Sequence, residues 1–584
     1  MLRRRALTLV LLPILLGVAV SGQPAPGAPR DAAIDRDLLD VTVPQLHRLY
    51  AARTYTVTQV VQWHLDRIDR YNGVYGAIET VLRAPALAEA ARQDAVAARD
   101  AAGTRGALWG VPIVIKANTS VAGQITTAGW EGFTRPGHEL IAPRDATIVA
   151  RLTAAGAIVV GLANMPDLAN SDTNRSTSFG RTGNAYDVRF SPGGSSGGVV
   201  TAVAANMAVL GNGTDTGNSI RMPAATSALV GVYPTRGLVS IAGIAPLDWL
   251  LDNTGPIART VGDAAIALEV MAGPDPLDPR TAGAPAAAQR PPYGPRLQTA
   301  TLTGKRFGVP AFVLAGDGVP FHGVPGRVPA AAAEKLRVAA NTPLRPETRA
   351  MFLKAVDALR AAGAEVIVDD GILPTAFART ASRVATYAYM RDGTDQFLAA
   401  FGPPAYHSAA EYQKAVGRPL FRSSIGVEDG FRNMGGIRIE QRRLAMDPDA
   451  ERLYHAPRRA MLAAYLEPLD RLRLDGYVYP AIQMPPPDET MPQDGGLSGG
   501  PHSNTSWVNM IGVPAIVVAA GTYANGLPFG LEFSARPWTD GDLLAIASAW
   551  EQATPRRTAP QLVEHGLLAV TPAREARTGD ASGR

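Results

Sequence analysis

Apolar residues recur at helical spacing along residues 43–72, which read VPQLHRLYAARTYTVTQVVQWHLDRIDRYN. This spacing predicts two amphipathic helices that separate near Thr54. A further helical stretch covers residues 85–101, and Pro85 suits the first turn of a helix. The apolar run that follows, residues 111–115, is typical of a buried strand, and it ends at Lys116.

Two later segments share one pattern, in which a helical stretch ends at Ala-Gly and an apolar strand follows. They are residues 146–163 (ATIVARLTAAGAIVVGLA) and residues 352–370 (FLKAVDALRAAGAEVIVDD). Each predicts a helix and then a strand, which is half of a βαβ unit. Repeated units of this kind predict an α/β fold with a parallel or mixed sheet covered by helices. The length of 584 residues fits either one large domain with insertions or two domains.

The segments outside this pattern are rich in Pro and Gly. Residues 274–346 predict surface excursions, interrupted by a strand in RFGVPAFVL at residues 306–314. Residues 493–501 (QDGGLSGGP) predict a mobile loop, and residues 571–584 predict a disordered tail.

The N-terminus carries Arg3, Arg4 and Arg5 before an apolar segment that ends in small residues at Gly22. This order predicts a secretory signal peptide over residues 1–22, and therefore a secreted, extracellular protein. A membrane anchor is the alternative, but Pro13 interrupts the run, which is short for a span of about 20 residues. We therefore expect no stable membrane insertion after signal cleavage, with Sec and twin-arginine export both open.

Composition excludes several classes of function. The formal net charge is +4, and three of these charges belong to the N-terminal arginines. The rest of the sequence has no cluster of basic residues, so we expect no nucleic-acid partner. The absence of cysteine excludes disulfides, a thiol nucleophile and iron–sulfur clusters. No residues in the sequence have the spacing of metal ligands, and we expect neither a metal nor an organic cofactor.

Candidate chemistry begins at residues 191–198, SPGGSSGG, which match G-x-S-x-G twice, centred on Ser195 and on Ser196. The pattern indicates either the nucleophile turn of an α/β-hydrolase or a flexible Gly/Ser loop. A second Gly-rich loop, GNGTDTGNS, is predicted at residues 211–219. Neither loop has a Lys after its final Gly, which argues against a phosphate-binding loop. Backbone N–H groups in the second loop can instead stabilise an oxyanion, which makes Ser219 a candidate nucleophile.

A nucleophilic serine needs a base. None of the eight histidines lies in a recognisable triad context. Lys116 is the better candidate, because burial at the end of an apolar strand lowers the pKa of a lysine and can leave it neutral. The alternative is a buried Lys116 paired with a carboxylate, for which we expect Asp145 or Asp167.

Three motifs together, GVPIVIKAN, SPGGSSGG and GTDTGNSIRMPAA, resemble the amidase signature family, whose catalytic set is Ser–cis-Ser–Lys. Further similarity lies in DATIVARLTAAGAIVVGLANMPD, DNTGPIARTVGDAA, NMIGVPAIVVAAG and GLPFGLEF. The resemblance spans residues 41–551, with the middle third weakest. It implies a single large α/β domain over residues 34–570, with a mixed, largely parallel-type central sheet covered by helices.

The resemblance also implies the roles of individual residues. Ser219 is the expected nucleophile, Ser195 the bridging serine in a cis peptide bond, and Lys116 the base. The oxyanion hole is expected to consist of the backbone N–H groups of Thr216, Gly217, Asn218 and Ser219. The expected supporting or substrate-binding residues are Ser196, Ala169, Asp215 and Arg221.

The chain departs from the family pattern at three positions. Ala117 stands where the family more often has Asp, Leu162 where it often has Lys, and Asn218 where it commonly has Gly. If position 218 needs an unusual dihedral to aim its N–H group, Asn is the non-glycine residue that best tolerates the left-handed region.

The implied function is a secreted amidase that hydrolyses linear carboxylic amides through a Ser219 acyl-enzyme. Its substrate class stays open among aryl amides, peptide amides, lactams and oligoamides, and it is expected to be a monomer or homodimer. Two alternatives remain: an α/β-hydrolase esterase that uses Ser195 or Ser196, and a non-catalytic extracellular binding protein. The family also includes an amidotransferase component that acts on charged tRNA, a role that export and the lack of a basic face disfavour.

Overall fold

The computed structural model describes residues 32–99, 105–286, 289–315, 344–417, 431–432, 438–490, 492–493, 496–497, 500–560 and 577–578. The chain divides into two compact units, Met1–Leu39 and Asp40–Arg584. The described part of the first unit consists of the helix α1, Ala32–Leu38, and the residue after it, Leu39. The predicted signal peptide, residues 1–22, lies outside the described residues.

A mixed sheet of twelve described strands runs through the second unit. The strands of the described residues, in chain order, are β1 (Ile78–Val81), β2 (Pro112–Lys116), β3 (Ile158–Ala163), β4 (Leu210–Asp215), β5 (Val230–Tyr233), β6 (Asn253–Ala258), β7 (Arg306–Val309), β8 (Glu365–Val368), β9 (Phe431–Arg432), β10 (Arg438–Ile439), β11 (Gly476–Pro480), β12 (Pro492–Gln493), β13 (Gly496–Leu497), β14 (Ala515–Thr522), β15 (Pro528–Ser534) and β16 (Arg577–Thr578). The order in the large sheet is β16-β1-β3-β2-β4-β6-β5-β14-β15-β11-β7-β8, and β9–β10 and β12–β13 form two small ribbons.

Parallel and antiparallel pairs occupy different parts of this sheet. The groups β3–β2–β4 and β11–β7–β8 are parallel. The consecutive pairs from β4 through β6, β5, β14 and β15 to β11 are antiparallel. The predicted α/β class with a mixed central sheet is confirmed, but the sheet is not largely parallel, since six of its eleven described strand pairs are antiparallel.

Helices connect and cover these strands. Those described after α1 are α2 (Val43–Ala51), α3 (Val57–Tyr75), α4 (Arg83–Arg99), α5 (Thr147–Ala154), α6 (Gly197–Ala204), α7 (Arg221–Thr226), α8 (Val261–Met271), α9 (Tyr293–Gln298), α10 (Ala311–Ala315), α11 (Pro346–Ala361), α12 (Thr375–Thr380), α13 (Met390–Phe401), α14 (Ala409–Val416), α15 (Ala456–Arg471), α16 (Trp507–Ile511) and α17 (Asp540–Ala553).

Local signals account for the first long helices. Thr42 and Thr56 cap α2 and α3, and each accepts a hydrogen bond from the N–H group three residues later while the Gln at that position accepts one from the cap N–H. Helix α3 ends at Gly76, whose φ of 60° is the left-handed conformation that stops a helix. The two helices predicted from residues 43–72 are therefore confirmed.

Both predicted helix–strand units are also present. Helix α5 leads into β3 through Gly156, which has a φ of 97°, and α11 leads into β8 through Gly363, which has a φ of 90°. The predicted strand over residues 306–314 is half wrong. Strand β7 ends at Val309 because Pro310 cannot continue the ladder, and α10 follows at once.

The parallel group β3–β2–β4 positions the candidate chemistry. Lys116 is the last residue of β2 and Asp215 the last of β4, so both side chains arrive at the carboxyl edge of neighbouring parallel strands. Helix α6 lies close against them, because a Cβ at Gly211 would sit 2.7 Å from Val114 O and 2.8 Å from Val199 Cγ1. The small residues of this region permit that approach.

Several predicted segments lie partly or wholly outside the described residues. Of residues 274–346, residues 287–288 and 316–343 are outside, and the described part holds α9, β7 and α10. The loop at 493–501 is described in part and contains β12 and β13, and the tail at 571–584 is described only at β16. Among the helices that the structure describes, none is both long enough and apolar enough to cross a membrane.

Candidate active site

Lys116 lies fully buried at the end of β2, and its amine contacts hydroxyl groups from two other segments. The distance from Lys116 Nζ is 2.7 Å to Ser195 Oγ, 2.9 Å to Ser196 Oγ and 2.8 Å to Thr214 Oγ1. The structure thus brings together Lys116, Ser195 and Ser196, three of the residues singled out in the sequence.

Burial lowers the pKa of Lys116 to about 7, and the negative charges of Asp215 and Asp252 only partly oppose this shift. No carboxylate of the described residues forms an ion pair with Lys116 within 4.0 Å. The expectation that Asp145 or Asp167 would pair with Lys116 is wrong. Asp145 accepts from the Ala122 N–H group and Asp167 from Thr177. Neutral Lys116 is therefore well populated near pH 7.

The SPGGSSGG segment is buried along its whole length, so its interpretation as a flexible loop is wrong. The Gly194–Ser195 peptide bond is cis, as the resemblance implies. A Cβ at Gly194 would lie 2.5 Å from Ser171 O and 2.6 Å from Thr173 O. A Cβ at Gly198 would lie 2.3 Å from Asn164 O. The glycines are needed for close backbone approach rather than for mobility.

The α/β-hydrolase interpretation of this segment is also wrong. That fold presents its nucleophile on a turn that follows directly from a strand of the sheet. Residues 164–196, all of which are described, contain no strand of the large sheet, although helix α6 begins at Gly197. Neither Ser195 nor Ser196 occupies a strand-to-helix turn.

Ser219 lies in the short connection between β4 and α7, which consists of residues 216–220. The predicted loop at residues 211–219 is thus shorter than expected, since Gly211 to Asp215 form β4. Ser219 is 6% exposed, and its carbonyl accepts a hydrogen bond of 3.3 Å from the Ser196 N–H group. This bond places the Ser219 segment directly against the SPGGSSGG segment.

Within the described part of the chain, none of the four backbone N–H groups of residues 216–219 donates to a protein acceptor, and Ser219 Oγ makes no hydrogen bond. Buried or half-buried N–H groups are normally paired, so a run of free donors beside a hydroxyl marks a place where another acceptor binds. We call residues 216–219 the donor segment.

A buried ionic network around Arg221 contacts the donor segment at the carbonyl group of Gly217. Arg221 is fully buried and donates to Asp215, to Glu532 Oε1 at 2.7 Å and to the Gly217 carbonyl at 2.8 Å. Arg221 Nη2 also donates to Asn509 Oδ1 at 2.6 Å, and Asn509 Nδ2 donates to Asp215 Oδ1 at 2.8 Å. Each charge in this network has an opposite charge within hydrogen-bond distance, which lets it remain buried.

The charges in this network shift in the expected directions. Burial would raise the pKa of Asp215, but Arg221 outweighs this effect and holds it below its usual value. Burial raises the pKa of Glu532 to about 7, with Arg221 opposing. Asp215 and Arg221, which the resemblance marks as supporting residues, are thus placed behind the donor segment and not at its free N–H groups.

Three residues of the site were not singled out from the sequence. Asp252 accepts a hydrogen bond from Thr216 Oγ1, and Asn509 and Glu532 complete the network around Arg221. All three lie inside motifs that carry the resemblance, since Asp252 begins DNTGPIART, Asn509 begins NMIGVPAIV, and Glu532 lies in GLPFGLEF. These motifs could have marked the three residues as candidates. The sequence does not show, however, that the three distant segments meet in space.

Two further expected residues differ in their surroundings. Ala169 has a φ of 60° and packs in a small apolar cluster with Ala117 and Met165. Asn218 does not adopt the left-handed conformation that was considered for it. Its side chain instead donates to Asp172 Oδ1 at 3.2 Å.

The described residues contain no group of three or more His, Asp or Glu side chains that could hold a metal ion. The groups at this site that can act chemically on a bound molecule include a lysine amine, two serine hydroxyls in contact with it, and the neighbouring Ser219 hydroxyl with the N–H donors beside it.

Comparison with known proteins agrees with the motifs. The chain is 32% identical over 532 residues to a glutamyl-tRNA(Gln) amidotransferase subunit from Symbiobacterium thermophilum, covering 90% of this chain and 99% of that protein. The corresponding protein of Koribacter versatilis is 30% identical, with 88% and 99% covered. The crystal structure of the peptide amidase from Stenotrophomonas maltophilia is 29% identical and has a TM-score of 0.68, with 89% and 98% covered.

The family assignment rests on the whole length of the fold. The sequence model of the Amidase family matches residues 59–316 and 331–544, which include both candidate serine segments and the Arg221 network. The chain belongs to the Amidase family and is an amidase signature amidohydrolase.

Proposed function

We propose that this protein hydrolyses linear carboxylic amides through an acyl-enzyme on Ser219, with Ser195 and Lys116 as the proton relay. The observation that carries the proposal is the 2.7 Å contact between the buried Lys116 amine and Ser195 Oγ. A buried lysine whose pKa lies near 7 can accept a proton at physiological pH, which an exposed lysine cannot.

Acylation uses these groups in sequence. Neutral Lys116 takes the proton of Ser195 while Ser195 Oγ takes the proton of Ser219, and Ser219 Oγ bonds to the carbonyl carbon of the amide. The carbonyl electron pair moves to the oxygen, and the free N–H groups of the donor segment stabilise the resulting oxyanion. The C–N bond then breaks, and the leaving nitrogen takes a proton from Ser195, which the Lys116 ammonium replaces.

Deacylation repeats the steps with water. Water attacks the ester carbon, its proton passes through Ser195 to Lys116, and the same proton returns to Ser219 Oγ as the acid leaves. The net reaction consumes one water and releases one acid and one amine or ammonia. Ser219 and Lys116 end in their starting protonation states.

The substrate class that we propose first is a peptide amide or a small-molecule amide. The similarity to a peptide amidase, at 29% identity over nearly the whole chain, supports this choice. Release of ammonia from a side-chain amide such as that of glutamine is the second candidate. It is favoured by the 32% identity to a glutamyl-tRNA(Gln) amidotransferase component.

A hydrolysis panel tests the proposal. The purified protein and its Ser219→Ala variant are incubated with an aryl amide, a C-terminal peptide amide, a linear oligoamide and glutamine, and released amine or ammonia is measured. We expect turnover of at least one amide by the wild type and none by Ser219→Ala. Equal rates for the two proteins, or no turnover of any amide, would leave the non-catalytic binding protein as the better account.

We further propose that residues 1–22 direct export of this enzyme and are removed. The arginines before an apolar segment and the small residues at its end support this assignment. Expression of the full chain, followed by N-terminal sequencing of the extracytoplasmic fraction, tests it. We expect a mature N-terminus close to residue 23. An intact N-terminus in the cytoplasmic fraction alone would contradict export.

A further inference from the structure

A pair of side chains outside the relay contacts the donor segment. Asp172 Oδ1 accepts a hydrogen bond of 3.2 Å from Asn218 Nδ2, and Asp172 Oδ2 lies 3.3 Å from His502 Nδ1. The three residues come from distant parts of the chain: the loop after β3, the donor segment before α7 and the segment before α16. Asp172 therefore joins one end of the donor segment to a half-exposed histidine.

We infer that Asp172, held by His502, positions Asn218 and with it the outer N–H groups that stabilise the oxyanion. Asp172 and His502 act through Asn218 and are positioning residues rather than catalytic ones. The inference rests on the proposed function, because it assigns these residues to the same oxyanion.

The backbone around Asp172 supports this role. A Cβ at Gly194 would lie 2.5 Å from Ser171 O and 2.9 Å from the Asp172 carbonyl carbon, so residues 171–173 press against the segment that carries Ser195. A Cβ at Gly500 would lie 2.5 Å from Asp172 O. With its backbone packed from two sides, Asp172 offers a fixed carboxylate to Asn218.

The rest of the donor segment has its own anchors. Thr216 is held by Asp252, and the Gly217 carbonyl is held by Arg221. Among the contacts of the described side chains, Asp172 is the partner of Asn218, the member of the segment next to Ser219. Removing Asp172 should therefore loosen one end of the segment and leave the other end in place.

The exposure of the pair argues that it contributes little to folding. The side chains of His502 and Asp172 are 40% and 28% exposed. Ion pairs at this exposure add little to stability, since solvent screens the charges. Asp172 also raises the pKa of His502 by hydrogen bonding and charge, against the effect of burial, so the pair stays charged to a higher pH than an isolated histidine would allow. The main effect of the Asp172–His502 pair is therefore to fix the position of Asn218.

A double-mutant cycle tests the inference. Asp172→Ala, Asn218→Gly and the double variant are compared with wild type by kcat and KM on the best amide of the panel. The second readout is the rate at which a serine-directed phosphonate labels Ser219, which does not depend on amide turnover. We expect Asp172→Ala to lower kcat and the labelling rate about 10-fold with KM nearly unchanged, less than the loss of a whole oxyanion donor.

The cycle distinguishes action through Asn218 from direct action. In the Asn218→Gly background, Asp172→Ala should lower either rate no more than about 2-fold, because the two residues share one interaction. Asp172→Asn should restore most of the rate, since its amide oxygen can still accept from Asn218. His502→Ala, which leaves Asp172 in place, should lower the rate by a smaller factor and be equally silent in the Asn218→Gly background.

A control and two outcomes complete the test. Asp167→Ala, in the same loop but bonded to Thr177, should leave both rates unchanged. Equal losses from Asp172→Ala with and without Asn218 would overturn the inference, as would a rise in KM alone, which indicates contact with the substrate. If the wild type hydrolyses no amide, the proposed function fails, and the labelling rates still decide whether Asp172 acts through Asn218. Thermal unfolding of each variant checks the fold.

Discussion

The amine of Lys116 is fully buried, out of contact with solvent. Its Nζ has three hydroxyl oxygens within 2.9 Å, from Ser195, Ser196 and Thr214. A neutral amine has two N–H donors and one lone pair, so at least one of these hydroxyls can donate to it. The contact to Ser195 is the shortest of the three, which makes Ser195 the hydroxyl best placed to lose its proton to Lys116.

The pH dependence of activity follows from this lysine. Its pKa is lowered to about 7, and only the neutral form can accept a proton. We therefore expect kcat/KM to fall about 10-fold per pH unit below neutrality and to level off above about pH 8. Initial rates across the pH range on one amide measure this. A profile that stays flat down to about pH 5, where a lysine with this pKa would be protonated, would contradict the assignment of Lys116 as the base.

Loss of the lysine should affect amides more than esters. An amine leaving group needs a proton before it departs, whereas an alkoxide leaves with less help. Lys116→Ala should consequently lose most amide hydrolysis and less of the hydrolysis of an ester with the same acyl group. The ratio of kcat/KM for the matched pair, in wild type and variant, is the measurement. Equal losses on both substrates would argue against a relay to the leaving group.

Some residues of the site could be predicted from the sequence, and others could not. Lys116 could be predicted because its burial is local: an apolar strand runs directly into it. Asp252, Asn509 and Glu532 could not, because each meets the donor segment or Arg221 only after the sheet has brought distant strands together. The orientation of Asn218 could not be predicted either, since its side chain bonds to Asp172 in another loop.

At the scale of elements, the donor segment lies in the connection between β4 and α7, and a buried network of hydrogen bonds holds that connection. Asp215 at the end of β4 accepts from the Ile220 N–H group at 2.9 Å, and Arg221 at the start of α7 returns to Asp215. Strand and helix are thus tied together across residues 216–219. The tie leaves the N–H groups of the segment free of other partners among the described residues, which an oxyanion hole requires.

Breaking this network should be costly. Arg221→Gln leaves the buried carboxylates of Asp215 and Glu532 without their cation, so we expect the free energy of unfolding to fall by about 3–5 kcal/mol. Arg83→Gln is the matched control, because its partner Asp69 and Arg83 itself are 61% and 38% exposed. It should change the free energy by less than about 1 kcal/mol. Denaturant unfolding measures both, and equal losses would contradict a stabilising role for the buried network.

The glycine-rich segment shows where an element-scale pattern misleads. SPGGSSGG has the composition of a flexible linker, and the structure buries it. Composition cannot distinguish a glycine that is mobile from one that permits contact. The distinction appears only when the carbonyl groups of Ser171, Thr173 and Asn164 are found against Gly194 and Gly198.

At the scale of the whole molecule, the class of fold was predictable and its topology was not. Periodicity located α2, α3 and the two helix–strand units, since each depends on local burial, and all but α2 also end at a glycine with positive φ. The strand order depends on which distant strands pair, and the run of antiparallel pairs between β4 and β11 has no local signature. The motifs that carry the resemblance supplied the fold family that periodicity alone left open.

A chelator should not affect amide hydrolysis by the whole enzyme. Because the proposed relay takes its base and its oxyanion donors from the protein chain itself, prolonged treatment with a chelator should leave amide hydrolysis unchanged. Rates before and after dialysis against EDTA, with an added-zinc arm, are the comparison. Activity lost to the chelator and recovered with zinc would require a different mechanism.

The central claim is that Ser219, activated through Ser195 and Lys116, is the nucleophile. Its most direct test is covalent labelling of the full chain with an irreversible serine-directed phosphonate, followed by peptide mapping of the modified residue. We predict a single adduct on Ser219, absent in Ser219→Ala and much slower to form in Lys116→Ala, because the neutral amine is what removes the proton. An adduct on Ser195 or Ser196, or labelling of Ser219 at an unchanged rate without Lys116, would contradict the account.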